Sequence, residues 1–178
     1  MTDADRFEAF VRMFQDMVFG TAIRLLGNQA DAEDVAQTVF LKAFERFGVI
    51  GASPAAAGWL KTVTTNICLN HLSRYRARWQ LFSELDGHQD DRIEYASTLV
   101  AVDPSPDDVQ VDRQARLEQA LRALPDHQRV PLVLFHFEDK SYQEIATALG
   151  VSVGKVKTDI HRGRETLKRQ LSFDDESR

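Results

Sequence analysis

Apolar residues return every three or four positions through most of this chain, and no stretch shows the clear apolar–polar alternation of a half-buried strand. A helix turns once in about 3.6 residues and stacks such positions on one face, so the pattern calls for amphipathic helices. Phe7, Phe10, Val11, Phe14, Val18, Ala22 and Leu25 form a first stripe. Gly27 follows where that helix can stop, because glycine takes up the left-handed backbone without steric cost. Asp31, Glu33 and Asp34 gather near the start of a second helix, at the positive end of its dipole. Ala36, Phe40, Ala43, Phe44 and Phe47 are its expected buried side. The pattern breaks from Gly48 to Gly58, with Ser53-Pro54 suited to cap and open a third helix from about Pro54 to about Phe82. Trp59, Leu60, Val63, Ile67 and Leu72 should face inward there.

The period is then lost. From residue 84 the chain is rich in Asp, carries Gly87, Pro104 and Pro106, and reads as a tether. Leu117, Ala120, Leu121 and Leu124 restore a helical stripe that ends at Pro125. Val130 to Phe137 is short and apolar; periodicity alone leaves its type open, and its neighbours favour helix. Ser141-Tyr-Gln-Glu144 is a capping-box pattern opening a short helix with Ile145, Ala146 and Leu149 inside. Gly150 closes it, and Ser152 is placed to cap a last helix with Val156, Ile160, Leu167 and Leu171 inside. The expected fold is all-α: two small helical domains, residues 1–83 and 116–178, joined by a flexible acidic linker over 84–115.

Charge is distributed unevenly along this frame. The formal net charge is −5, which taken as an average argues against a nucleic-acid binder. Yet residues 49–80 carry 4 basic and no acidic side chains, and residues 150–171 carry 6 basic and 2 acidic, while residues 81–120 hold 10 acidic and 3 basic. Positive islands in an acidic chain are a statement about partners.

The second island coincides with a helix–turn–helix. Ala146 is small enough for two helices to cross closely, Gly150 permits the turn, and Val156 plugs the crossing. Such a motif sets its second helix in a DNA major groove, and here that helix offers Lys155, Lys157, Thr158, His161, Arg162 and Arg164, with Ser152 and free amides at its start for a phosphate. A solvated basic face on a structural helix pair is the bland alternative.

The first island differs in character. Trp59, Lys61, Thr62, Asn66, Asn70, Arg74, Arg76, Arg78 and Trp79 mix aromatic, amide and cationic groups, which suits unpaired bases better than a duplex. Trp59 fits a core position as well as a base platform, and Asn66 could instead bridge helices.

At this point the chain resembles a bacterial RNA polymerase sigma factor of the extracytoplasmic-function group. Asp31-Ala-Glu-Asp-Val-Ala-Gln-Thr-Val-Phe-Leu-Lys-Ala-Phe44, then Trp59 to Asn70 and Arg74 to Arg78, is similar to the family's second conserved region. Leu124-Pro-Asp-His-Gln-Arg129, Ser141 to Lys157 and His161-Arg-Gly-Arg164 are similar to its fourth. The resemblance implies that Asp34, Gln37 and Thr38 bind the coiled coil of the largest subunit of core RNA polymerase. It implies that Lys61, Asn66, Asn70, Arg74, Arg76 and Arg78 melt and read the promoter's minus-10 element, with the loop from Val49 to Gly58 pocketing a flipped base. Ser152, Lys155, Lys157, Thr158, His161, Arg162 and Arg164 would then read the minus-35 element. An anti-sigma factor is implied as a further partner.

The sequence departs from the family pattern at Lys155, where a small residue or threonine is usual, at Asp159, often arginine, and at Gly163, commonly alanine. Asp159 could accept a hydrogen bond from cytosine, or only pair with a neighbouring cation. Gly163 should weaken its helix by roughly 1 kcal/mol.

Other classes find little support. One cysteine, Cys68, makes neither an internal disulfide nor a zinc site, and reads as a buried, inert thiol. The five histidines show no metal spacing, and no nucleophile-and-base arrangement or phosphate-cradling glycine loop appears. The expectation is no catalysis, no cofactor, no membrane insertion and a cytoplasmic location. Two other readings remain: a stand-alone helix–turn–helix regulator, and a helical adaptor that binds no DNA.

Overall fold

The computed structural model describes residues 1–73 and 107–176, with side chains over 1–73 and 110–172. Arg74, Arg76, Arg78, Trp79 and the acidic stretch up to 106 lie outside the described residues. Every regular element among the described residues is a helix. In chain order these are α1 (Asp3–Leu26), α2 (Gln29–Glu45), α3 (Phe47–Ile50), α4 (Ala56–Ser73), α5 (Asp107–Ala123), α6 (Asp126–His136), α7 (Tyr142–Leu149) and α8 (Val153–Glu176).

Local chemistry sets the ends. Thr2 and Asp5 form a reciprocal capping box at the start of α1, and Gly27 ends it in the left-handed conformation at φ 67°. Asn28, rather than an acid, caps α2 by accepting from the Asp31 amide at 3.1 Å. Ser53 accepts from the Ala55 amide at 3.2 Å just ahead of α4.

The first core lies where α1, α2 and α4 meet. Val18, Ala22 and Leu25 of α1 are buried there, as the periodicity predicts. In α2 the buried side is Ala32, Val35, Val39 and Ala43; of the expected Ala36, Phe40, Ala43, Phe44 and Phe47, Ala43 is fully buried and Ala36, Phe40 and Phe47 pack partly buried at the margin. Phe44 is 59% exposed. Its aromatic bulk suggests core, but the small and β-branched residues one step away allow α1 to approach more closely. The break from Gly48 also contains structure: α3 is a single helical turn that buries Ile50. Leu60, Thr64, Thr65, Cys68 and Leu72 form the buried row of α4, with Trp59, Val63 and Ile67 packed at its margin.

The second core gathers α6, α7 and the inner face of α8, with α5 against α8. Val130 to Phe137 resolves as helix, and Val130, Leu132, Val133 and Leu134 are buried in it. Helix α5 begins at Asp107, ahead of the expected stripe; residues 110–115 are exposed (Val111 is 71% accessible) and offer no buried apolar face to reveal the helix in the sequence.

The two cores touch. Helix α1 packs on α5 and α6, and α4 touches α7. Arg24 pairs with Glu118 at 2.7 Å and its guanidinium lies 4.7 Å from the centre of the Phe137 ring.

Candidate nucleic-acid interface

Helix α7, the Gly150 turn and α8 form the predicted helix–turn–helix. Ser141 accepts from the Glu144 amide at 3.1 Å while the Glu144 carboxylate accepts from the Ser141 amide at 3.4 Å, completing the capping box. Gly150 sits at φ 68° and closes α7 onto Ala146. Ala146 and Val156 are buried at the crossing. Ser152 accepts from the Lys155 amide at 3.1 Å and so caps α8.

The inner stripe of α8 is Val156, Asp159, Ile160, Gly163 and Leu167. Lys155, Lys157, Thr158, His161 and Arg162 are partly exposed, and Ser152 and Arg164 are exposed. Thr158 donates back to the Gly154 carbonyl at 3.0 Å. At Gly163 a Cβ would come 2.9 Å from Leu132 Cδ1 and 3.3 Å from the Gln128 carbonyl oxygen. The glycine that weakens α8 in isolation therefore lets it lie close against α6.

Two aromatic residues escaped sequence reasoning. Phe135 and Tyr142 stack with centroids 4.8 Å apart and planes within 8°. Lys157 Nζ stands 5.6 Å from the Tyr142 centroid and the Arg164 guanidinium 5.7 Å from that of Phe135. Arg164 Nε also donates to His136 Nε2 at 3.0 Å. Partial burial and the neighbouring Arg164 charge both lower the His136 pKa. No local sequence signal marks this arrangement, since it depends on α6 and α7 meeting beside α8.

Asp159 faces inward, with its side chain 7% exposed, and Lys155 Nζ meets it at 2.8 Å. Of the two alternatives, accepting from cytosine or pairing with a neighbouring cation, the geometry takes the second. Burial pushes the Asp159 carboxyl pKa up, against the opposing pull of Lys155, His127 and Arg162.

On α4, Asn66 and Asn70 are exposed one turn apart, and Thr62 is exposed beside them. Lys61 is placed otherwise: its Nζ donates to the Phe137 carbonyl at 3.1 Å and lies 3.8 Å from Glu138. Thr65 donates to the same carboxylate at 3.4 Å, and the Glu138 side chain is 5% exposed. Burial raises the Glu138 pKa, with Lys61 acting in the opposite sense. The structure therefore brings Asn66 and Asn70 together and sets Lys61 against the second helical unit. Burial pushes the Cys68 thiol up to about 12, as an inert thiol requires.

Asp34, Gln37 and Thr38 are exposed along one side of α2. Beside them an open groove of about 730 Å³ runs between α1 and α2, lined by Phe19, Ala36, Gln37, Phe40, Leu41 and Phe44 among others. Leu41 is 67% exposed at its edge. A second cavity of about 460 Å³ lies under the chain from Gly51 to Ala56, against Phe10, Met13, Phe14 and Phe47. Among the described residues no set of three His, Cys, Asp or Glu side chains could hold a metal, and no helix is long and apolar enough to cross a membrane.

Comparison with known proteins adds an independent line. The Sigma-70 region 2 family matches residues 10–78, and Sigma-70, region 4 matches residues 114–167. The ECF RNA polymerase sigma factor SigW of Bacillus subtilis is 32% identical over 171 residues, spanning 95% of this chain and 90% of that protein. The ECF RNA polymerase sigma factor SigE of Mycolicibacterium smegmatis is 37% identical over 169 residues, spanning 93% of this chain and 62% of that protein. The RNA polymerase sigma-H factor of Pseudomonas aeruginosa is 30% identical over 171 residues, 95% of this chain and 88% of that protein.

Proposed function

This chain belongs to the extracytoplasmic-function sigma factors of bacterial RNA polymerase, and on that premise we propose how its surfaces divide the work of starting transcription. The first helical unit docks on core polymerase and holds the melted minus-10 strand. The second sets α8 in the duplex major groove at the minus-35 element. The observation that carries this reading is the presence, in one chain, of a helix–turn–helix with a cationic outer face and a separate α4 face with exposed Asn66 and Asn70.

The groove between α1 and α2 supports polymerase docking. Leu41 and Phe44 are large apolar residues left exposed beside the polar Asp34, Gln37 and Thr38, which suits a partner helix that buries the first pair and hydrogen-bonds the second set. On α8, Lys157, His161 and Arg162 supply charge and donors for phosphates and base edges, and the Ser152 end of the helix suits a phosphate. Arg164 flanks this face from the Phe135 side.

On α4, amide groups at Asn66 and Asn70 present donors and acceptors together, as unpaired bases require. The cavity beneath residues 51–56 is the place for a flipped base. Lys61 joins this surface once its contacts with Glu138 and the Phe137 carbonyl give way. Each DNA contact is weak alone; held on one polymerase, the two act together through effective concentration. Net acidity fits this scheme, because it disfavours promiscuous binding of the free chain to DNA.

The protein works in the cytoplasm, without catalysis of its own, and an anti-sigma factor restrains it. The decisive experiment adds the purified chain to core polymerase and maps transcripts from a genomic library. Start-site-specific transcripts are expected. Tight duplex binding without polymerase would instead mark a stand-alone regulator, and neither activity would mark an adaptor.

A further inference from the structure

Lys155 is the first cation of α8 after its cap, at the end of the helix that a helix–turn–helix directs toward base edges. Its position alone would make it a principal reader. The structure gives it another occupation. Its Nζ lies 2.8 Å from the Asp159 carboxylate one turn on, and its side chain is only 20% exposed. Asp159 belongs to the buried stripe beside Val156, Ile160 and Gly163, so it is anchored by packing and cannot follow Lys155 outward. A lysine at i paired with a carboxylate at i+4 is ordinarily a weak surface contact. Here the carboxylate is 7% exposed, which removes most of the water that would compete for it. His127 and Arg162 also act on Asp159, so withdrawal of Lys155 would leave the carboxylate with weaker compensation for its burial.

We propose that Asp159 is a specificity-determining positioning residue: it holds Lys155 along the helix, away from DNA, so that α8 discriminates through Lys157, Thr158, His161 and Arg162. A released lysine on a flexible stem would reach phosphates or any guanine within range. It would add affinity at correct and incorrect sites alike, and the ratio between them would fall. Asp159 thus works by withholding a contact rather than by making one. This rests on the reading of α8 as the minus-35 helix.

The test is a double-mutant cycle in reconstituted holoenzyme, using Lys155→Ala, Asp159→Asn and the pair, on a promoter library randomised across the minus-35 element. Two quantities are read: the preference for the selected element over substituted ones, and the slope of promoter binding against salt. Asp159→Asn is expected to lower that preference about threefold to tenfold and to steepen the slope by close to one phosphate contact. Adding Lys155→Ala should reverse both changes. If both changes persist in the double variant, loss of negative charge alone explains them and the proposal is overturned. If Asp159→Asn leaves both quantities as they were, it is overturned equally. Should Asp159→Asn fail to fold, Lys155→Ala alone decides: an unaltered salt slope supports a withheld lysine, and a slope shallower by one contact overturns it. Arg162→Ala is run beside the cycle. If that variant keeps full minus-35 dependence, the reading of α8 itself fails; if it loses that dependence while the cycle shows no coupling, only the role of Asp159 fails.

Discussion

Arg129 closes the C-terminal end of α1 from the other helical unit: its Nη2 donates to the Leu26 carbonyl at 3.1 Å, across the junction between the two cores. The same guanidinium donates to Leu25 at 3.3 Å and, through Nη1, to the Leu124 carbonyl at 2.9 Å, and it pairs with Asp126. The last carbonyls of a helix lack intrahelical partners, so a buried cation there answers both their hydrogen bonding and the negative end of the dipole. Arg129→Ala should destabilise the chain by about 2–4 kcal/mol, since it strands buried carbonyls. Denaturant titration checks this, and a midpoint unchanged from the parent would contradict it.

Gly27 is coupled to the same contact. Its φ is 67°, and a Cβ there would sit 2.7 Å from the Arg129 Cζ. Gly27→Ala should therefore cost about 1–3 kcal/mol from the left-handed backbone and displacement of the guanidinium together. Combined with Arg129→Ala, the cost should be less than additive, because the guanidinium in the way is gone. Additive losses in the double variant would argue against the coupling.

Phe44 and Leu41 allow docking to be separated from folding. Both are largely exposed, so Leu41→Ser should leave the unfolding free energy within about 0.5 kcal/mol of the parent, while Phe44→Ser, which also removes an edge-on ring contact with Phe7 at 5.0 Å, should cost about 1 kcal/mol. Capture of core polymerase should weaken about tenfold or more, as expected when an apolar anchor is lost from an interface. Titration of labelled chain into core enzyme measures this, and unaltered capture would remove the groove from the polymerase interface.

The two DNA surfaces should fail at different steps. Arg162→Ala should reduce closed-complex formation on promoters that depend on the minus-35 element, by about tenfold. Asn66→Ala should slow strand opening while leaving closed-complex affinity within about twofold, because an unpaired base is available only after melting. Footprinting with a permanganate probe for unpaired thymines separates the steps. Equal effects of both variants on every step would mean that the surfaces are wrongly divided.

His136 makes the support of Arg164 sensitive to acid. Its pKa lies below the ordinary 6.5, so between that value and the lower folded one the unfolded chain holds more protons than the folded chain. Its contribution to stability is therefore intact above the ordinary histidine range and falls as pH drops through it. The difference in melting temperature between parent and His136→Asn should vary in that window and flatten above it. A difference constant from pH 5 to 8 would contradict the assignment.

The helices were legible where their chemistry is local. Gly27, the Ser141–Glu144 box, Gly150 and Ser152 all behave as their neighbours in sequence require. What could not be read depends on contacts between distant segments. The true inner row of α2 is selected by the approach of α1, and the exposure of Phe44 follows from that choice. Asp159 was legible as a departure, but its direction was not, because a helix wheel places it at the edge of the buried stripe and only packing against α6 decides the matter. Phe135 and Glu138 carry no motif, and the capping box around Tyr142 says nothing of its ring; their roles arise from where the end of α6 meets the start of α7 and α4.

The seam at Lys61 has one consequence for the order of events. The ammonium group that an unpaired promoter strand would attract already has a carboxylate and a carbonyl for company, supplied by the far half of the same molecule. On the proposed division of surfaces, a stray single strand meeting a free copy would compete with that carboxylate and carbonyl for the amine. A scaffold that spread the halves would end that competition before a bubble opens, so on the same proposal vacancy at this amine would follow assembly.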